Sequence, residues 1–373
     1  MTASTKAAAF RDLRLDLCRG LALWFVFLDH VPNNSLSWLT LRNYGFSDTT
    51  EVFFFISGYT CMIAYGMALK ERGWRTTIAR ALQRGWEIYV AFLILLLAYL
   101  ALVQILGGSQ EYLDETNTGV FFDDPAAAII HTMLMQYTPV NTEVLPVFVL
   151  LHIGFPALLW LLNGAPRITL AGSFLLYLGA HPLGWNLPAW PRGQWYFNPL
   201  AWQLLFVLGS WYAMPDADRL RAIVRSNAVM VFALLYLAFS LVVVLSWYLH
   251  DLEPLLPELL VKLIYPIDKS SLSPLRLFHF LSLAVIAGQL LHHDWRGLMT
   301  PGMRATIRCG ENSLPIYCLG VLLAFIGDVV LRQISSGFAM QVGVSFTGIM
   351  VMIAVATLMT WTAKLDRHGP KLF

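Results

Sequence analysis

Residues 14–32 read RLDLCRGLALWFVFLDHVP. Charge is confined to the two ends. Arg14, Asp16 and Arg19 precede an apolar run, Asp29 and His30 follow it, and Pro32 marks the helix end. A bilayer is crossed by about 20 mostly apolar residues, so 15–32 reads as a first transmembrane helix. The basic residues before it come without the small-residue exit of a signal peptide, so the span is expected to stay uncleaved.

Composition supports a membrane chain. Apolar residues make up 57% of the 373 and charged residues 13%, where a soluble domain carries about 25% charged residues. Side chains this apolar are solvated by lipid, and helices satisfy the backbone there. The same window gives further segments at 50–68, 86–107, 144–163, 168–183, 197–213, 227–249, 274–291, 313–331 and 341–363. The expectation is an all-α, polytopic transmembrane bundle of about ten helices. It forms a single domain over 14–363, between a tail at 1–13 and a tail at 364–373.

Charge in the connections sets the orientation. Of the 25 Lys and Arg residues, six (Arg42, Arg192, Lys262, Lys269, Arg276 and Arg332) fall on one side and the other 19 on the opposite side. The positive-inside rule makes the richer side cytoplasmic, with both termini there. The net charge of +2 comes with no basic tract interleaved with aromatics, which argues against a nucleic-acid partner. Cys18, Cys61, Cys309 and Cys318 are scattered without metal-ligand spacing, so no metal site is expected and they read as small apolar fillers. Among the outer connections, 108–143 is acidic, with a short interfacial helix expected near 124–136. Segment 182–200 is rich in Trp and Pro. Trp185, Trp190, Trp195 and Trp202 suit a membrane interface, and the same rings suit stacking on sugars.

Ionisable side chains inside a span are functional candidates, and the first two helices concentrate them. Arg19 and His30 are eleven residues apart, about three turns, so they share a face roughly 16 Å apart along the axis. Asp16 and Arg19 can pair at i and i+3. Asp29 points about 100° away from His30, so an orienting partner is expected from elsewhere. Glu51, at the head of the second helix (Thr50-Glu51-Val52-Phe53-Phe54-Phe55-Ile56-Ser57-Gly58), is a candidate for that role. Ser57 and Gly58 permit close approach of another helix or a substrate. Lys269, Arg276 and His279 flank the outer end of the segment at 274–291, with Arg276 and His279 on one face. Trp195, Asn198 and Gln203 open the segment at 197–213. Asn312 or Ser313 is expected as the N-cap of the helix that follows.

Arg19-x10-His30 followed by Phe53-Phe54-Phe55-Ile56-Ser57-Gly58 resembles the acyltransferase-3 superfamily of membrane acyltransferases. More narrowly the chain resembles the OpgC family, which succinylates osmoregulated periplasmic glucans. That likeness extends through WYFNPLAWQLLFVLG (195–209), DKSSLSPLRLFHF (268–280) and GENSLPIYCLG (310–320). It implies a multi-pass protein of the bacterial inner membrane that uses cytoplasmic succinyl-CoA, or another acyl-CoA, as donor substrate. The acceptor is a periplasmic glucan, and no cofactor is held permanently. His30 is then the general base, with Asp29 or Glu51 orienting it. Arg14 and Arg19 hold CoA phosphates, and Ser57 faces the developing oxyanion. Trp195, Asn198, Gln203, Lys269, Arg276 and His279 contact substrate. Lys269, Arg276 and Arg42 are the candidate cations for a succinyl carboxylate. With no soluble domain after the last span, acceptor recognition falls to the outer loops, and a homo-oligomer is compatible with the pattern. Three rivals stay open: an O-acetyltransferase of another envelope saccharide, a transporter with buried ionisable groups, and a non-catalytic partner in glucan export.

Overall fold

The computed structural model describes residues 12–107, 109–249, 257–292 and 294–368. Most of the expected N-terminal tail and the end of the C-terminal tail lie outside these residues. In chain order the helices are α1 (Leu13–His30), α2 (Thr50–Leu102), α3 (Gln110–Glu115), α4 (Gly119–Asp123), α5 (Pro125–Met133), α6 (Val144–Gly164), α7 (Pro166–Ala180) and α8 (Pro199–Tyr212). They continue with α9 (Asp218–Val224), α10 (Asn227–Tyr248), α11 (Glu258–Ile264), α12 (Pro274–Leu290), α13 (Pro301–Glu311), α14 (Ser313–Gln333) and α15 (Phe338–His368). The protein is all-α, and each of the ten expected segments coincides with helix. Among the described residues, five helices are long and apolar enough to cross a membrane, and α12 is a shorter apolar helix.

Two compact units are formed, Met1–Thr40 with Ile286–Phe373, and Leu41–Val285. In the first, α1 lies directly against α13. Gly20 abuts the backbone of Thr306, and Gly310 abuts the backbone of Asp16, so neither position has room for a Cβ. Such paired small residues let two helix backbones come together. Leu17, Leu298 and Ile307 close this contact from the side. Further along α1, Phe27 is fully buried against Gly348 of α15. The helix α13 was expected only as a connection. Its sequence carries the signal, with Pro301 at the first helical position. Asn312 is the N-cap residue of α14, one of the two positions expected, but its side chain makes no cap bond. Its amide instead donates back to the Arg308 carbonyl at 2.9 Å and across to Thr360 at 3.1 Å, tying α13 to α15.

In the second unit, the connection expected at 69–85 is helical throughout except at Gly73, whose φ of 75° and ψ of −178° break α2. Glycine adopts that geometry at no steric cost. Tyr65 and Ala81, on either side of the break, belong to one buried cluster with Cys61, Phe155 and Phe206, so the two arms fold back on each other. The FFFISG stretch works as packing. Gly58 abuts the Phe206 backbone and Gly209 abuts the Phe55 backbone, while Ser210 Oγ donates to the Gly58 carbonyl at 3.0 Å. Phe54, fully buried, stacks on Phe148 at 4.6 Å. The helix expected near 124–136 is present as α5.

Four connections expected on the outer side gather at one end of this unit. Trp190 N–H donates to the Gln136 carbonyl, Asn198 N–H to the Ser270 carbonyl, and Trp202 Nε1–H to the Ser270 carbonyl. Lys269 meets Asp48 at 2.7 Å. Residues 48, 136, 190, 198 and 269 are thereby fixed together by the fold.

Candidate active site

Helix α1 is set at its start by Asp12, whose carboxylate accepts from Arg14 N–H at 3.0 Å. Arg14 folds back on the same carboxylate at 2.6 Å and donates to the Leu291 carbonyl at 2.8 Å. Arg19 lies 4.0 Å from Asp16, the expected i, i+3 pair. His30 is the last residue of α1 and half-buried. Its Nδ1 is 2.6 Å from the carbonyl oxygen of Val26, one turn earlier. A carbonyl only accepts, so Nδ1 carries the proton and Nε2 is the nitrogen on which the ring can take up another. A helix carbonyl thus fixes the tautomer of His30 at Nδ1. Asp29 Oδ1 accepts from Thr40 Oγ1 at 2.7 Å, in the loop that leaves α1.

Glu51 lies in the other unit, inside a buried ionic cluster. It is 0% exposed, and Arg276 is 7% exposed. Arg276 Nε donates to Glu51 Oε1 at 2.8 Å, and its NH2 reaches Asp48 at 3.1 Å and Glu51 at 2.7 Å. Glu51 Oε2 accepts from Asp48 N–H at 3.1 Å, while Asp48 Oδ1 accepts from Thr50 N–H at 2.8 Å. These two bonds cross between Asp48 and the first residues of α2 in the manner of a capping box, one residue ahead of the N-cap Thr49, and fix the chain where it enters the helix. Lys269 completes the cluster, with its ammonium 5.6 Å above the Phe197 ring. Burial works to raise the Asp48 carboxyl, but Lys269 and Arg276 hold it well below the usual carboxylate range. Two carboxyl side chains and two cations meet here, and Arg276 spends its guanidinium on Asp48 and Glu51. Arg42 is exposed on the turn Leu41–Asn43.

His279, one turn after Arg276, is buried beside this cluster. Its Nδ1 accepts from Ser47 N–H at 3.2 Å and lies 2.6 Å from Ser47 Oγ, and Gly45 closes on its ring. Ser57 is half-buried on α2. Asn198 caps α8 by accepting from Leu200 N–H at 3.0 Å and donates to the Trp185 carbonyl at 2.7 Å. Gln203 exchanges bonds with Ser173 at 2.7 and 2.8 Å, joining α8 to α7. Both positions expected at the substrate therefore hold the scaffold together, while Trp195 stands at a pocket among the loops.

A family model described as OpgC protein matches residues 11–364, nearly the whole chain. The chain belongs to the OpgC family. No curated protein and no solved structure matched it. Membership of the OpgC family implies acyltransferase activity and a multi-pass place in the inner membrane. Both helix elements that carried the resemblance, Arg19-x10-His30 and Phe53–Gly58, lie within the match.

Two charged residues of this OpgC chain escaped the sequence reading, Asp48 and Glu143. Asp48 was legible as the first residue of Asp48-Thr49-Thr50-Glu51, a capping-box signature before an apolar run. Glu143 stands immediately before α6, half-buried. Burial pushes its carboxyl from the ordinary 4.5 up to about 7, against the backbone donors around it and the Lys269 charge. The folded state therefore holds this proton where the unfolded chain has released it. Stability falls as pH rises through the window from 4.5 to about 7 and stays lower above it. Glu143→Gln is expected to raise the melting temperature at pH 8 and to leave it near wild type at pH 4. Equal shifts at the two pH values would show that burial does not hold the proton.

Proposed function

We propose that this protein is a membrane-embedded O-acyltransferase that moves a succinyl group from cytoplasmic succinyl-CoA to hydroxyls of a periplasmic glucan. The observation that carries this reading is His30, whose Nδ1 is fixed on the Val26 carbonyl so that Nε2 is the ring's basic nitrogen, on the helix that also bears Arg19, in a chain of the OpgC family. The glucan hydroxyl oxygen attacks the thioester carbonyl while Nε2 of His30 takes the hydroxyl proton. The tetrahedral intermediate collapses with loss of the CoA thiolate, which receives the proton from the imidazolium. Arg14 and Arg19, at the start of α1, face the donor phosphates. Arg308 joins them from α13, the helix packed against that end. Ser57 is the proposed oxyanion donor. Orientation follows from the charge bias: N- and C-termini cytoplasmic, with the loops around Asp48, Trp190 and Lys269 on the periplasmic side.

The matched charges of Asp48, Glu51, Lys269 and Arg276 favour one second reading. They leave no spare cation in that cluster for a free carboxylate, which suits an uncharged acyl group such as acetyl. Purified protein in detergent, given a periplasmic glucan and either succinyl-CoA or acetyl-CoA, separates the two. Glucan-dependent CoA release with a succinyl mass shift on the glucan is the expected result. An acetyl shift alone would establish the second reading, and no consumption of either donor by folded protein would point to a transporter.

A further inference from the structure

The gathered loops of the Leu41–Val285 unit enclose a pocket of about 270 Å³. Its lining combines the rings of Trp190, Trp195 and Tyr196 with the polar side chains of Gln136, Glu143 and Arg192. Trp190 is held in place from three directions. Its ring stacks on His131 at 4.8 Å with 9° between planes, and Tyr137 meets it edge-on at 5.9 Å. Its N–H donates to the Gln136 carbonyl at 2.9 Å. The same His131 anchors the Gln136 side chain, with Nδ1 2.6 Å from Oε1.

The polar groups beside these rings supply the second observation. Gln136, Glu143 and Arg192 bring an amide, a carboxyl and a guanidinium to a space walled by aromatic rings. A pyranose fits both. Its C–H faces lie against indole and phenol rings, and its hydroxyls exchange bonds with amides, carboxyls and guanidinium groups. A lipid chain would leave those polar groups facing hydrocarbon. A phosphorylated ligand would bring several negative charges to a lining that offers Arg192 beside Glu143. The volume is just under the roughly 300–1,000 Å³ of small-molecule sites, which fits a single sugar ring of a longer chain.

We propose that this pocket is the acceptor subsite, holding one neutral hexopyranose unit of the glucan against its aromatic rings, with Gln136 and Arg192 meeting the sugar hydroxyls. The inference rests on the reading that the acceptor is a saccharide.

The test is calorimetric titration of the full-length, detergent-purified protein with a neutral gluco-oligosaccharide in the absence of donor. Acyl transfer to the same oligosaccharide is measured on the same preparations. Tyr196→Ala removes an exposed ring of the lining, and it is expected to weaken binding about tenfold. It should raise KM for the acceptor while kcat stays near wild type, as loss of uniform binding requires. Gln136→Ala should do the same and carries the test if Tyr196→Ala does not fold. Wild-type affinity and KM in a folded variant would overturn the proposal. Binding that falls in the variants, in a protein that transfers no acyl group, would uphold the pocket and sink the acyltransferase reading instead.

Discussion

Arg276→Met is expected to destabilise the protein by about 3–5 kcal/mol, the usual consequence of removing one partner from a buried ion pair. The effect comes from what stays behind. Glu51 is 0% exposed and receives two contacts from Arg276, at 2.8 and 2.7 Å. Without the guanidinium it keeps the Asp48 N–H but loses its cation, and Lys269 already serves Asp48 at 2.7 Å. The double variant Glu51→Gln with Arg276→Met removes the stranded charge together with its partner and should recover most of the loss. Thermal unfolding in detergent checks both: the single variant melts several degrees lower, and the double lies closer to wild type. A single variant that melts with wild type would mean that Glu51 is neutral or solvated in the folded protein. A double variant no better than the single would mean that the loss comes from packing of the long Arg276 side chain and not from charge.

What the sequence made legible, and what it did not, follows from the range of the interaction. The ten helical segments are set by local apolarity, and a window of about 20 residues finds them. The shared face of Arg19 and His30 is likewise a matter of helical period. The partner of His30 Nδ1 is the carbonyl one turn back, so it too is local, but a reading that looks for carboxylates passes over backbone. The misread connections are those where composition and conformation part company. Residues 69–85 carry five basic residues and look like a loop, yet Ala, Arg, Glu and Leu are good helix formers. Only Gly73 marks the turn. The Arg276–Glu51 pair lies beyond any local pattern, because its members are 225 residues apart. Nothing in either neighbourhood names the other, and Arg276 could be read as a free cation until the fold matched it. The same distance separates expectation from outcome at Asn198 and Gln203, polar residues at a helix head whose partners are Trp185 and Ser173.

His30→Ala is expected to lower kcat for glucan acylation by about 10²–10⁴-fold, the usual contribution of a positioned general base. Folding should be little affected. His30 closes α1 as its last residue, half-buried, and its Nδ1 bond is to a carbonyl of its own helix, so the ring joins no other helix through that bond. KM for the acyl donor should also hold, because the residues proposed to bind CoA lie about three turns away at the start of α1. Arg19→Ala is the complementary case: it should raise KM for acyl-CoA and change kcat less. Added imidazole supplies the missing base to His30→Ala and should restore part of the rate, which a purely structural histidine would not show. Measurement of free CoA and glucan mass, alongside melting temperature, decides the matter. If His30→Ala acylates glucan at the wild-type rate, the base lies elsewhere, and the buried Ser47–His279 pair of the other unit, 2.6 Å apart, becomes the next candidate. If the rate falls together with the melting temperature and imidazole restores nothing, His30 is part of the scaffold of α1 and not of the chemistry.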